Sequence, residues 1–334
     1  MPSTELQGLE DGNYIGEIMT NKHTKINAFL LAVAALIWGI AFVAQSEGGD
    51  VTGPYTFTCI RYLIGGIVLI PIIKIGDKTK FYGDSKPKND EEKKTLRIAG
   101  LCCGLCLTVA TILQQLGLYL GTTAGKAGFL TACYIILVPI LGLFLKKKCP
   151  KKVWIAVIIS VAGLYLLCIN GEFKMQGSDI ITLFGSVVWA MHILTIDHFM
   201  IKKVDPVRLS SRQFFVTAFI SAFPMFFIEM RGDFSRVIPA VAVALSGKAL
   251  VSILFAGVMS SGIAFTLQII GQRGVNPTVA SLIMSLESVF SVLAGWIILG
   301  EKLSLKEGIG CVLIFGAIVL AQLPAEKLRV NSEK

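Results

Sequence analysis

The chain has 334 residues, of which 54% are hydrophobic and only 16% charged, against roughly 25% charged in an ordinary soluble protein. Mean hydropathy is +0.71, and the apolar residues fall in blocks of about 18–22, the length that crosses roughly 30 Å of hydrocarbon. This composition excludes a soluble globular enzyme, and the lack of short alternating segments excludes a β-barrel. The net charge of +9 is spread over short loops with no basic soluble domain to carry it, so a nucleic-acid partner is excluded too.

In chain order, residues 1–25 are polar and partly acidic and read as a disordered cytoplasmic N-terminus with no cleavable signal peptide. Ten apolar spans follow, at about 27–46, 55–75, 98–119, 126–145, 153–170, 179–200, 207–229, 249–271, 277–299 and 306–323. A charged loop, Lys74 to Arg97, separates the second span from the third. A mildly amphipathic loop, Met230 to Lys248, separates the seventh from the eighth, and residues 324–334 form a C-terminal tail. With the N-terminus inside, the loops and tails on the inner side hold 22 Lys and Arg against 7 outside. That excess predicts that both termini are cytoplasmic and that the protein is multi-pass in the cell membrane. Seven of the eight cysteines sit within apolar blocks and read as small apolar filler. Cys102, Cys103 and Cys106 lack a second Cys or His pair, so no metal site is expected. No phosphate loop, nucleophile triad or dinucleotide fingerprint occurs, so no cofactor is expected either.

The spans repeat. Trp38 and Trp189 are 151 residues apart, as are Arg61 and Arg212; Pro54 and Pro206 are 152 apart. Pro71 and Pro224 are 153 apart, as are Gly163 and Gly316, and the offset is 154 for Gln114 and Gln268 and for Gly117 and Gly271. An ordered series of near-constant offsets predicts two repeats, 26–171 and 178–323. Five spans is an odd number, so the second copy enters the membrane from the opposite side. The expected fold is all-α, with ten transmembrane helices in two inverted five-helix repeats around a central cavity, the arrangement of secondary transporters.

The ALIWGIAFVAQ of span one, the Pro54-to-Arg61 opening of span two, Trp189-Ala190 of span six and the GEKLS at Gly300–Ser304 carry a family resemblance. Over 27–323 the chain resembles EamA-type members of the drug/metabolite transporter superfamily. The resemblance implies ten helices in two inverted halves, cytoplasmic termini and transport of a small metabolite, often an amino acid. The chain departs from it in two places. Ser288 follows the acidic residue of span nine where members often have proline, which puts a kink there in doubt. The first repeat ends in Lys146–Lys148 rather than Gly-Glu.

The stretch Phe265–Glu301 holds the most pointed candidate, Glu287. A carboxylate mid-span costs on the order of 2.5–3.5 kcal/mol on insertion scales, so it must face a cavity or a partner. It either draws an amine, cation or proton, or anchors to Arg61, Arg212 or a backbone donor. Ala280, Met284, Glu287, Ser288 and Ser291 share one helical face, small and polar enough to line water, which makes Ser288 and Ser291 substrate-binding candidates beside Glu287. Further substrate-binding candidates are Trp38 and Gln45 on span one and Trp189 and His192 on span six. Gln114 and Gln268, late in spans three and eight, and Tyr134 in span four complete the set. His192, with a near-neutral pKa in water, is a second candidate proton carrier beside Glu287. Arg61, two turns into span two near the outer face, either snorkels, pairs with an acid or gates an anion, with pairing the first expectation.

The expected activity is secondary transport of a small polar metabolite, first an amino acid or amine, by alternating access, and not catalysis. Efflux of lipophilic cations or drugs is the alternative, and an intramembrane enzyme acting on a lipid carrier is the reading from another class. The expected partners are the solute and membrane lipids, with a monomer sufficient.

Overall fold

Each of the ten predicted spans has a helix in the computed structural model, which describes residues 22–79, 86–147, 149–169, 175–299 and 304–323. No strand occurs among the described residues. Helix α1 is Lys22–Thr52, α2 Pro54–Thr79 and α3 Asp90–Tyr119. The fourth span is broken into α4 Ala124–Ala132 and α5 Tyr134–Phe144, and α6 is Lys151–Cys168. The second half holds α7 Gly177–Ile201 and α8 Pro206–Pro224, which runs on through a π turn, Met225–Glu229. A short surface helix, α9 Val237–Ala244, fills the amphipathic loop. The eighth span joins α10 Gly247–Leu254, a π-helical stretch Phe255–Phe265 and α11 Thr266–Gly271. The ninth is broken into α12 Pro277–Met284 and α13 Leu286–Leu299, and α14 Leu305–Gln322 closes the bundle. The predicted disordered segment 1–25 falls largely outside the described residues, and α1 already runs from Lys22; the tail 324–334 lies outside them.

Eight of these helical rods are long and apolar enough to cross a membrane. Shorter apolar stretches, Lys25–Ala41 and Pro277–Leu293, correspond to the first and ninth spans. Outward-facing side chains are apolar over the flanks: Ile158, Phe219, Val251 and Val312 are each about two-thirds exposed or more. A surface like that needs hydrocarbon around it rather than water.

Local chemistry sets the helix starts. Asn89 accepts from Glu92 N–H ahead of a first turn of Asp90, Glu91 and Glu92, satisfying orphan donors and complementing the helix dipole. Asp205 and Asn276 cap α8 and α12, each followed by a proline that needs no donor. In the GEKLS segment, Ser304 and Glu307 form a reciprocal capping box at the start of α14.

The packing carries the repeat more sharply than the sequence does. Helix α3 packs on α7, and the π stretch that continues α10 packs on α1; α3 packs on α8 as the π stretch packs on α2. Helix α5 lies against α7 as α13 lies against α1, while α2 with α8 and α6 with α14 are self-paired. These pairings are unchanged when the halves are exchanged, as a pseudo-two-fold axis requires. Individual glycines obey the same rule. A Cβ on Gly117 would meet Thr182 and the carbonyl of Ser178, and one on Gly271 would meet Leu31 and the carbonyl of Asn27. Both contacts are related by offsets of 154 and 151. Likewise Gly104 abuts Val216 as Gly257 abuts Ile64. Close approach through small residues is how helices associate where lipid removes the hydrophobic drive.

One sequence-related pair does not share an environment. Gly163 lies against Gly310 at the crossing of α6 and α14, whereas Gly316 faces open space. Helix α7 is tied to the α4–α5 rod at both ends, by the ion pairs Lys126–Asp179 and Lys147–Asp197.

The kink that Ser288 put in doubt is present. Helices α12 and α13 are interrupted at Ser285, and α4 and α5 at Cys133. Each break closes with a tight i→i+3 bond, Ser288 N–H to Ser285 O and Ile136 N–H to Cys133 O. Proline is not needed, because a single turn of 3₁₀ geometry interrupts the rod. The breaks are 152 residues apart, not the 154 of the glutamines. The second copy therefore has two fewer residues between glutamine and break, and Tyr134 corresponds to Leu286, not to Ser288 as the 154-residue offset of the glutamines predicts.

Candidate functional site

The two broken rods meet at a cavity between the halves. Its walls come from α1, α2, α3, α4–α5, α7, the π stretch with α11, and α12–α13. Glu287 stands in the first turn of α13, just past the break at Ser285, and is buried. Tyr134, the first residue of α5, reaches it from the other broken rod, its hydroxyl donating to Glu287 Oε1 at 3.4 Å. The breaks explain the meeting: each of these two side chains stands in the first turn of the helix that follows a break.

Opposite charge comes from α2. Arg61 is 2% exposed and lines the same cavity. Its guanidinium donates to Gln45 Oε1 at 2.8 Å and to Tyr62 Oη at 3.4 Å, and it lies 4.8 Å from the centre of the Tyr62 ring. Its Nε has no partner, and no carboxylate pairs with it among the described residues. The expectation of an acid partner near the outer face is therefore corrected. The polar and π contacts of Gln45 and Tyr62 stand in place of an ion pair.

The tryptophans flank a ring the sequence did not single out. Phe265 ends the π stretch and lies between Trp38, edge-on at 4.8 Å, and Trp189, stacked at 5.9 Å with planes 14° apart. The indole of Trp38 donates to the carbonyl of Ser260 at 3.3 Å, while Trp189 Nε1 is buried without a partner. A π turn takes in more than four residues, so it rotates Ser260 and Phe265 off the face an ideal helical grid assigns them.

Among the amides, Gln114 bridges α3 to α4 by donating to Thr131 Oγ1 at 3.1 Å. Gln268 lines the cavity with its Oε1 unpartnered. The cavity thus gathers Glu287, Trp38, Trp189, Gln114, Gln268, Gln45 and Tyr134 of the predicted residues. It leaves out His192, Ser288 and Ser291. Ser288 faces toward Gly128, and the backbone of Ser291 packs on Gly39. His192 lies behind Trp189, its Nε2 3.0 Å from Gln213 Oε1 on α8. Arg61, Phe265, Ser260, Thr131, Met284 and Ile193 complete the lining. Of these only Met284 shared a predicted face with Glu287.

The space for centres of water-sized spheres is about 50 Å³. One water needs roughly 10–15 Å³ on that measure, so this conformation suits a few waters or a small polar solute.

The EamA-like transporter family matches residues 25–169 and again 177–323, nearly the whole chain in two copies. The chain belongs to the EamA-like transporter family. Curated relatives have names that agree with this. An uncharacterized transporter of Archaeoglobus fulgidus is 26% identical over 88% of this chain and 84% of its own length. The uncharacterized transporter YwfM of Bacillus subtilis is 22% identical over 90% and 96%. A solved crystal structure aligns with a TM-score of 0.71 at 20% identity, covering 91% of this chain and 99% of the other, and shows the fold. The chain is thus a multi-pass membrane transporter, not an enzyme. In this EamA protein the cavity lies between the two matched halves, with walls from both.

The placement of His192 gives one expected result. His192→Gln keeps a partner for Gln213 and should leave the pH profile of transport unchanged; flux measured from pH 5 to 8 in proteoliposomes checks it. A flattened profile would make His192 a proton carrier from behind the wall.

Proposed function

We propose that this protein is a secondary transporter of the cell membrane that carries a small zwitterionic metabolite, an amino acid first, by alternating access. One observation carries the reading: buried Glu287 and buried Arg61 line one cavity without being paired to each other. Burying a charge unpaired is costly, so such groups are kept for a partner that arrives. An ammonium suits Glu287 and a carboxylate suits Arg61, whose planar fork binds carboxylates in two places. The rings of Trp38, Phe265 and Trp189 would take the apolar part of the solute. Lipophilic cations fit less well, since Arg61 would repel them and the space is small. Glu287, in contact with the cavity, is the proton-coupling candidate of first choice. The excess of basic residues in alternate loops supports ten crossings with both termini in the cytoplasm.

A thermal-shift screen of the purified protein tests the solute class. Ligand at 100 times its dissociation constant stabilises the folded state by about 2.7 kcal/mol, so amino acids should raise the melting temperature. The matching decarboxylated amines should raise it less. Equal shifts from amines would remove Arg61 from recognition, and shifts only from lipophilic cations would overturn the reading.

A further inference from the structure

The two ends of the α2–α8 pair are tied by carboxylates that the repeat relates to one another. At one end Glu229, on the π turn that finishes the α8 rod, accepts from the N–H groups of Tyr55 and Thr56 at 2.8 Å each. It also accepts from the Thr56 hydroxyl at 2.5 Å. These are orphan donors of the first turn of α2. Gly53, at φ +85°, makes room: a Cβ there would lie 2.5 Å from Glu229 Oε1. At the other end Asp77, in the last turns of α2, pairs with Arg208 in the first turn of α8.

Asp77 and Glu229 are 152 residues apart, and so are Thr56 and Arg208. Each contact is therefore the image of the other under exchange of the halves, although one uses backbone and hydroxyl donors and the other a guanidinium. Along α2, Arg61 of the cavity wall lies between Thr56 and Asp77. One tie thus stands on each side of the cavity, and neither carboxylate lines it.

We propose that these contacts are the two closures of the transport path, Glu229 with the start of α2 on the outer side and Asp77 with Arg208 on the inner side, opened in alternation. Helices α2 and α8 pack on each other across the pseudo-two-fold axis, so rocking one half against the other separates this pair at one end while the other end stays shut. With one carboxylate tie at each end, opening either end breaks one tie and leaves the other, which keeps both open states accessible to a cycling carrier. The inference uses the membrane orientation proposed above only to say which side is outer.

The test is sidedness of access. A Ser260→Cys reporter in the cavity wall, in a background lacking accessible native cysteines, is labelled with a membrane-impermeant maleimide from either face of vesicles. Glu229→Gln should raise the ratio of outer to inner labelling about tenfold, equivalent to about 1.4 kcal/mol. Asp77→Asn should lower that ratio by a similar factor, and the double variant should return toward the parent. If Glu229→Gln does not fold, Thr56→Val removes one of the three bonds and should move the ratio the same way by a smaller factor. Ratios that stay fixed, or move in one direction for both ends, would make the carboxylates simple helix caps and overturn the proposal. Opposite shifts with both signs reversed would keep the closures and overturn the orientation instead.

Discussion

Glu287→Gln is expected to reduce transport by about 10–100-fold, the loss of one charge-assisted contact of roughly 1.5–3 kcal/mol. Folding should be intact, because glutamine has the same shape and its amide oxygen still accepts from Tyr134. The melting temperature of the empty protein should hold or rise, since a buried, unpaired carboxylate is costly. Arg61→Gln is the complementary variant. It should lose amino-acid transport by a similar factor while uptake of a decarboxylated amine survives. Counterflow in proteoliposomes with both solutes, beside a thermal scan, reads all four results. Full activity of Glu287→Gln at unchanged stability would return this carboxylate to a structural role. Loss of both solutes in Arg61→Gln, with a lowered melting temperature, would do the same for the arginine.

How much of this was legible in the sequence depends on the scale. The spans and the two halves follow from hydropathy and from offsets between like residues, and the family resemblance from the ALIWGIAFVAQ, Pro54-to-Arg61 and GEKLS segments. The glycine contacts Gly117–Thr182 and Gly271–Leu31 show those offsets acting in space. At the site, residues that repeat or carry charge were readable: Trp38, Trp189, Gln114, Gln268 and Glu287 all line the cavity.

What escaped has physical reasons. Phe265 and Ser260 depend on a π stretch that shifts helical phase, and no periodic grid includes it. Arg61 was assigned an acid partner because that is the usual way to bury a guanidinium, whereas here Gln45 and Tyr62 take that role. Ser288 and Ser291 were placed on the face of Glu287, but all three follow the break in one helix. Ser288, one residue on, is turned about 100° around the axis toward Gly128, and Ser291 lies where the backbone packs on Gly39. The absence of proline hid that break, although a serine suffices to mark it.

Gly39→Ala is expected to lower stability and transport together. Helix α1 crosses α13 at this glycine, where an added Cβ would lie 2.7 Å from the carbonyl of Glu287 and 2.8 Å from Ser291 N and from Phe290 Cβ. Two of those three atoms are backbone, so a rotamer change gives no relief and the rods must part. Overpacking of this kind costs about 1–3 kcal/mol and at times more. The displacement also falls on the turn that holds Glu287, so transport should drop with stability. Gly316→Ala is the control, because that glycine meets nothing within 4 Å. Helix propensity then favours alanine by about 0.5–1 kcal/mol, and the melting temperature should hold or rise with transport unchanged. Gly163, the sequence mate of Gly316, should behave like Gly39 in stability, since its Cβ would lie 2.9 Å from the carbonyl of Gly310. Far from the cavity, it should spare the affinity for solute in whatever protein folds. Thermal scans of the three variants, with solute affinity measured on the folded fraction, separate a crossing that builds the site from one that only holds the halves together. Equal tolerance at Gly39 and Gly316 would mean that α1 and α13 do not cross as closely as their backbones place them.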